Sequence, residues 1–104
     1  MSDGPPLPEQ CQTMAEVRAG IDALDAELVA LIARRFAYMR AAARIKPERS
    51  QVRDEARKAE VIANARRQAA GRGAPEHVVA DLWERLVETS IDYELDAWDR
   101  LKGA

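Results

Sequence analysis

The sequence predicts an all-α fold in which one long N-terminal helix is followed by two shorter helices. Apolar residues recur at steps of three and four between Met14 and Leu31, which is the spacing of one helix face. No segment shows the alternation of a half-buried strand. The chain has 104 residues, the size of one domain. We interpret residues 1–12, which hold three of the five prolines, as a flexible lead-in and 13–104 as a single helical domain.

The first helix is expected to begin at Thr13 and to run to about Arg44. Thr13 and Glu16 have the spacing of a capping box, in which each side chain accepts a hydrogen bond from a free backbone N–H. Pro47 ends the helix, because proline lacks that donor and disfavours helix at the residue before it. Some thirty residues make a helix of roughly 45 Å. So small a chain cannot cover such a helix alone, so we expect it to pack against a second copy.

The second helix is expected from Asp54, a good N-cap, to about Ala70, where the GRG of residues 71–73 stops it. Pro75 suits the first turn of a third helix. The inner face of the third helix is predicted to consist of Val78, Val79, Leu82, Leu86, Ile91 and Leu95.

Composition excludes several classes of function. A net charge of −2 argues against a nucleic-acid binder, because no excess of basic residues is available to neutralise phosphates. Cys11 is the only cysteine and His77 the only histidine, so neither a disulfide nor a metal centre built on these ligands is expected. We expect neither a secretory signal nor a membrane span, because residues 1–10 lack a basic and an apolar region and no segment is apolar for long enough. We therefore expect a cytoplasmic protein without a cofactor.

Arg35 occupies the position at which the apolar series of the first helix would continue. A single arginine at the edge of such a face commonly extends its guanidinium to water. Lys46 strengthens a functional interpretation, since eleven residues return to within about 20° of the same direction, about 16 Å further along the helix. Two cations on one face, with no acidic residue three or four positions away on the same helix, favour a small anionic ligand.

Arg18 lies seventeen residues before Arg35, about 25 Å away and roughly 100° around the helix. It cannot reach the same ligand from the same copy. In an antiparallel dimer of long helices, Arg18 would enter the pocket of the partner.

Four further polar residues have both a plain and a functional interpretation. Asp54 is a helix cap in the plain interpretation, and Arg57, one turn later, is a solvated residue. Ser90 and Glu94 are four apart and therefore neighbours on one face of the third helix. Glu94 is exposed or paired with a nearby cation in the plain interpretation.

Taken together, these residues resemble the all-helical (AroQ-type) chorismate mutases and their relatives, the isochorismate pyruvate lyases, over about residues 11–98. The matching segments are VRAGIDALDAELVALIARR at 17–35, the lysine at 46, VRDEAR at 52–57 and SIDYE at 90–94. The arginine, arginine and lysine spacing of the first helix is the most specific feature. PEQCQTMAEVR and YMRAAARIK are similar to the lyase branch in particular.

The resemblance implies an intertwined homodimer with two active sites, each built from both subunits. Arg18 then corresponds to the arginine that the partner subunit contributes to one substrate carboxylate, and Arg35 to the arginine that binds the other carboxylate. Lys46 and Glu94 correspond to the residues that contact the ether oxygen whose bond breaks.

Three further residues take their roles from the same resemblance. Asp54 and Arg57 match site positions of the second helix, and Ser90 matches a substrate contact of the third. Lys58 departs from the family pattern, in which a glutamate that binds the ring hydroxyl often follows the arginine. The loop after Lys46 is also about one residue shorter than in familiar mutases.

The implied reaction is the pericyclic rearrangement of chorismate to prephenate, which needs no nucleophile, metal or redox cofactor. In it Glu94 can help only as the neutral acid, so activity is expected to fall as pH rises and Glu94 loses its proton. Elimination of pyruvate from isochorismate to leave salicylate is the alternative, which Lys58 and the lyase-like lead-in favour. A non-catalytic helical dimer that serves as an interaction module is the alternative from another class.

Overall fold

The computed structural model describes residues 4–103, and the regular structure in that range is entirely helical. Helix α1 spans Met14–Ile45, α2 spans Glu55–Gly71 and α3 spans Glu76–Lys102. The three predicted helices are confirmed, and α1 and α2 each end one residue beyond the predicted position. Within the described range, no helix combines the length and the apolar character that crossing a membrane requires.

The chain divides into two compact units, residues 1–35 and 36–104. The first unit contains the lead-in from residue 4 onwards and the larger part of α1. The second contains the last turns of α1, the connection to α2, and helices α2 and α3.

In the first unit, the predicted capping box begins α1. The backbone N–H of Thr13 donates to Glu16 Oε1 at 3.1 Å, and the backbone N–H of Glu16 donates to Thr13 Oγ1 at 3.2 Å. Part of the lead-in is ordered as a 3₁₀ turn at Pro8–Gln10. The apolar face that follows is open to solvent within the single chain: Ile21, Leu24, Leu28 and Leu31 are each more than half exposed.

The second unit has a small apolar core between α2, α3 and the connection that precedes α2. Its buried members are Val52, Val87 and Ile91. Val61 and Ile62 of α2 pack against this cluster, as do Leu95 and Trp98 of α3. At the other end of α1, the rings of Phe36 and Tyr93 meet edge to face with centroids 4.8 Å apart, which joins α1 to α3. The core therefore fixes the middle and the C-terminal half of α3.

The inner face predicted for α3 is correct only in part. Ile91 is buried, but Val78 and Leu82 are 43% and 59% exposed. The core is centred on Val87 and Ile91, so the first turns of α3 extend beyond it and their apolar side chains stay uncovered in the single chain. The segment Pro47–Gln51, predicted as a plain loop, contains a 3₁₀ turn at Arg49–Gln51.

Candidate active site

The predicted site residues are distributed over both units. Arg18 and Arg35 lie on α1 in the first unit, where Arg18 is exposed and Arg35 half-buried. The second unit holds the other six, which are Lys46, Asp54, Arg57, Lys58, Ser90 and Glu94.

Lys46 and Glu94 are brought into direct contact although 48 residues separate them in sequence. The ammonium Nζ of Lys46 donates to Glu94 Oε2 at 2.7 Å. The side chain of Glu94 is only 5% exposed, whereas that of Lys46 is 30% exposed. A carboxylate so deeply buried needs a charged partner, and the more exposed ammonium of Lys46 is that partner. The plain interpretation of Glu94 as an exposed residue is therefore wrong, while its pairing with a cation is confirmed.

Ser90 lies one turn before Glu94 and is also buried. Its hydroxyl Oγ donates to the backbone carbonyl of Leu86 at 2.6 Å. Ser90 and Glu94 thus form a short polar stripe on the otherwise apolar inner face of α3.

The N-terminus of α2 is capped by Asp54, as predicted. Asp54 Oδ1 accepts a hydrogen bond from the backbone N–H of Arg57 at 3.0 Å. The guanidinium of Arg57 contacts Glu60, one turn further along α2, and the Arg57 side chain is 63% exposed. Arg57 is therefore oriented by a neighbour on its own helix.

Lys58 is engaged by carboxylates of α3. Its Nζ lies 2.7 Å from Glu84 Oε1 and 3.0 Å from Glu88 Oε2, and its side chain is only 16% exposed. Arg53 contacts both Glu88 oxygens, at 3.1 and 3.0 Å. Hydrogen bonds to Glu84 and Glu88 raise the pKa of Lys58, and those from Arg53 and then Lys58 lower the pKa of Glu88 to about 2. The residue that departs from the family pattern thus ties α2 to α3.

Sequence reasoning missed two residues that contact the backbone beside Lys46. Trp98 Nε1 donates to the carbonyl oxygen of Lys46 at 3.0 Å. Lys102 Nζ donates to the carbonyls of Ala43, Arg44 and Lys46, at 3.1 and 3.0 Å for the first two. Every residue has a backbone carbonyl, so residue type does not indicate which carbonyl accepts a hydrogen bond from a side chain. No motif therefore predicted either contact. The ending DAWDRLK offers only a general signal, since basic residues are common in the last turn of a helix.

Chemically, the second unit presents the ammonium of Lys46 against the buried carboxylate of Glu94, with the buried hydroxyl of Ser90 one turn earlier on α3. Such a set can donate hydrogen bonds and positive charge to an oxygen atom that gains negative charge during a reaction. Among residues 4–103, no group of three or more histidine, cysteine, aspartate or glutamate side chains is placed to hold a metal ion. The fold and these side chains define an all-helical class of protein with a buried carboxylate paired to a lysine.

The comparison with protein families identifies this class more closely. The sequence model of the family described as Chorismate mutase type II matches residues 17–95. That match covers most of the chain, and the protein belongs to this family. The predicted resemblance is thereby confirmed.

A curated relative extends the comparison to the lyase branch. The chain is 28% identical over 97 residues to the isochorismate pyruvate lyase of Pseudomonas aeruginosa, and the alignment covers 93% of this chain and 96% of the relative. Family and relative together indicate an enzyme of the chorismate mutase and isochorismate pyruvate lyase type.

Proposed function

We propose that the protein is a chorismate mutase, which converts chorismate to prephenate. The observation that carries the proposal is the contact between Lys46 Nζ and Glu94 Oε2 at 2.7 Å. These are the two residues assigned to the ether oxygen of the substrate, and they come from distant parts of the sequence. The contact shows that both side chains can reach one small volume, which is what two groups that bind the same ether oxygen require.

The reaction breaks the ether C–O bond and forms a C–C bond in one concerted step, so no group is transferred to the protein. Catalysis then consists of holding the dianionic substrate in its compact conformer and stabilising the negative charge that grows on the ether oxygen. Lys46 supplies that charge stabilisation. Glu94, when protonated, donates a second hydrogen bond to the same oxygen. Arg18 and Arg35 would bind the two carboxylates, because a guanidinium can make paired hydrogen bonds to a carboxylate.

We further propose that two chains form an intertwined homodimer in which Arg18 enters the partner's site. The charges of α1 support an antiparallel arrangement. Residues 14–29 contain four acidic side chains and one arginine, whereas 30–45 contain four arginines and no acid. Antiparallel pairing places the acidic half of one helix beside the basic half of the other, and parallel pairing would oppose like charges. The half-exposed leucines and isoleucine of the first unit supply the apolar surface that such an interface would bury.

The test is to incubate the purified protein with chorismate and, separately, with isochorismate. Prephenate from chorismate is the expected product. Lys46→Ala and Arg35→Ala should lower kcat/KM by at least about a hundredfold, as removal of a charge-stabilising group commonly does. Arg44→Ala is the matched control, since it removes an exposed arginine of the same helix and should leave the rate unchanged. Absence of prephenate would refute the proposal.

The second candidate is the lyase reaction, in which isochorismate loses pyruvate and leaves salicylate. The relationship to the Pseudomonas aeruginosa lyase over almost the full length of both chains favours it. The same cations would serve, because both substrates are dicarboxylates and both reactions break a C–O bond. Salicylate plus pyruvate from isochorismate, at a kcat/KM above that for chorismate, would establish the lyase instead.

A non-catalytic interaction module makes a different prediction. Selective binding of a dicarboxylate that resembles chorismate raises the melting temperature of an enzyme of this type, whereas a module would show no shift at millimolar ligand. In the module, neither Arg35→Ala nor Lys46→Ala would affect ligand binding, although Lys46→Ala would still leave the buried Glu94 carboxylate without its partner.

A further inference from the structure

We propose that the last turns of α3 form the C-terminal cap of α1 and that Trp98 and Lys102 act as positioning residues for Lys46. The inference rests on the proposed function, because it assigns these residues a role in catalysis through the lysine. In this arrangement, the end of α3 holds the backbone of Lys46 in place while the ammonium of Lys46 acts on the substrate.

The end of α1 needs such a cap. The last carbonyls of any helix lack partners within the helix, and a glycine after the helix commonly allows the chain to turn back and satisfy them. Here Lys46 and Pro47 follow Ile45. Proline has no N–H, so it cannot donate to the preceding turn. The carbonyls of Ala43, Arg44 and Lys46 instead accept from the single ammonium of Lys102.

The ammonium of Lys102 is well suited to this position. It has three N–H donors and three carbonyl acceptors, so each donor has a partner. A positive charge at a helix C-terminus also interacts favourably with the negative end of the helix dipole. The four-carbon stem carries the ammonium to within 5.8 Å of the ring centre of Trp98, a distance at which the ring attracts the cation.

Trp98 provides the rigid part of the cap. Its ring packs against the core formed by Val52, Val87 and Ile91, which restricts its movement. Its Nε1 donates to the carbonyl of Lys46 at 3.0 Å. The carbonyl of the candidate catalytic residue is therefore fixed directly to the core of the second unit.

Glu94, Trp98 and Lys102 follow one another at steps of four along α3, which places them along one stripe of the helix. All three contact Lys46, Glu94 through the side-chain ammonium and the other two through the backbone carbonyl. With the backbone fixed, the ammonium can move from Glu94 to the substrate by side-chain rotation alone. Such fixed geometry lowers the reorganisation required in the transition state.

The test compares Lys102→Met and Trp98→Phe with the unchanged protein. Both variants keep apolar bulk and remove the donors to the carbonyls. We expect kcat to fall by about tenfold, since misplacement of a catalytic group by a fraction of an ångström to 1 Å has effects of this order and larger. KM should change less than about twofold, because the arginines assigned to the carboxylates are untouched. Lys102→Arg, which retains a charged donor, should recover most of the rate.

Arg100→Met is the matched control. Arg100 lies in the same last turns of α3, and its substitution removes the same unit of charge but none of the hydrogen bonds to the carbonyls of Ala43, Arg44 and Lys46. It should leave kcat unchanged. An equal decrease of kcat in Arg100→Met and Lys102→Met would show that net charge alone affects the rate and would overturn the proposal.

A second measurement does not depend on activity. Hydrogen exchange of the backbone amides of residues 43–46 reports whether the end of α1 is held in place, and exchange should accelerate in Lys102→Met but not in Arg100→Met. Faster exchange with an unchanged kcat would overturn the positioning role, as would unchanged exchange. If the unchanged protein converts neither substrate, the proposed function fails, and exchange alone then decides whether α3 caps α1.

Discussion

At the scale of single residues, the charge of the side chain at position 94 decides whether it assists or opposes the proposed reaction. In the free protein, Lys46 Nζ contacts Glu94 Oε2 at 2.7 Å. In the proposed reaction, the ether oxygen of the substrate would face the same carboxyl group. An ionised carboxylate repels an oxygen that gains negative charge, whereas the neutral acid donates a hydrogen bond to it.

We therefore expect Glu94→Gln to retain or raise kcat/KM, because the amide donates a hydrogen bond without carrying negative charge. Glu94→Ala removes the group and should lower kcat/KM by about a hundredfold or more. Initial rates with chorismate at a single pH provide the test. Asp92→Asn is the control, since it changes an exposed acid of the same helix and should leave the rate unchanged. Equal losses in Glu94→Gln and Glu94→Ala would contradict the role of Glu94.

Glu88 gives a second prediction at this scale. Hydrogen bonds from Arg53 and then Lys58 lower its pKa from 4.5 to about 2. A carboxylate whose pKa is lower in the folded protein contributes stability above its unfolded pKa and loses that contribution as pH falls through the folded value. Glu88→Gln should therefore destabilise the protein at pH 7, and the difference should shrink between pH 4.5 and about 2.

Urea unfolding of both proteins at a series of pH values measures this difference. Asp81→Asn, which changes an exposed acid of α3 outside the network, should show no such convergence. A Glu88→Gln effect that stays constant down to about pH 2 would refute the stabilising role of the network.

These residues also show which contacts of the candidate site could be predicted from the sequence. The sequence predicts Lys46 because it shares a face of the first helix with Arg35, and Glu94 because it neighbours Ser90 on the third, and both match family positions. Trp98 and Lys102 were not predicted, because they act on backbone carbonyls more than fifty residues away. Lys58 was singled out for its departure from the family, but its partners Glu84 and Glu88 could be found only once α2 and α3 were packed together.

At the scale of helices and turns, local chemistry was sufficient to predict the ends. Thr13, Asp54 and Pro47 act through bonds within a few residues, so their effects were visible in the sequence. The exposure of Val78 and Leu82 was not, because it depends on where the core lies along α3. Helical periodicity indicates which face is apolar but not how much of that face is covered.

The turn between α2 and α3 offers a prediction with an internal control. Gly73 has a φ of +74°, a conformation that costs an L-residue roughly 1 kcal/mol. The α2 end also uses the hydrogen bond from Ala74 N to Ala69 O at 2.9 Å. Gly73→Ala should lower the free energy of unfolding by about 1 kcal/mol.

Gly71→Ala is the control, because Gly71 is the last residue of α2, has a negative φ and has open space where a Cβ would lie. It should be neutral or stabilise the protein by up to about 1 kcal/mol, since alanine favours helix over glycine. Chemical denaturation measures both values. Equal effects of the two substitutions would contradict a special role for the Gly73 conformation.

At the scale of the whole molecule, two independent features of α1 point to a second copy. Its N-terminal apolar side chains are more than half exposed in the single chain, and its charges are divided between an acidic and a basic half. The proposed dimer uses both features, and it explains why Arg18 lies too far along α1 to share a ligand with Arg35 of the same chain.

Mixing of two inactive variants tests this arrangement directly. Arg18→Ala and Arg35→Ala should each be inactive alone, because every site in either homodimer lacks one arginine. After unfolding and refolding together in equal amounts, half of the dimers should contain one chain of each kind. Each mixed dimer then has one site with both arginines intact, so about one quarter of the original site concentration should return. If Arg18 served the site of its own chain, no mixed dimer would contain an intact site and the mixture would stay inactive.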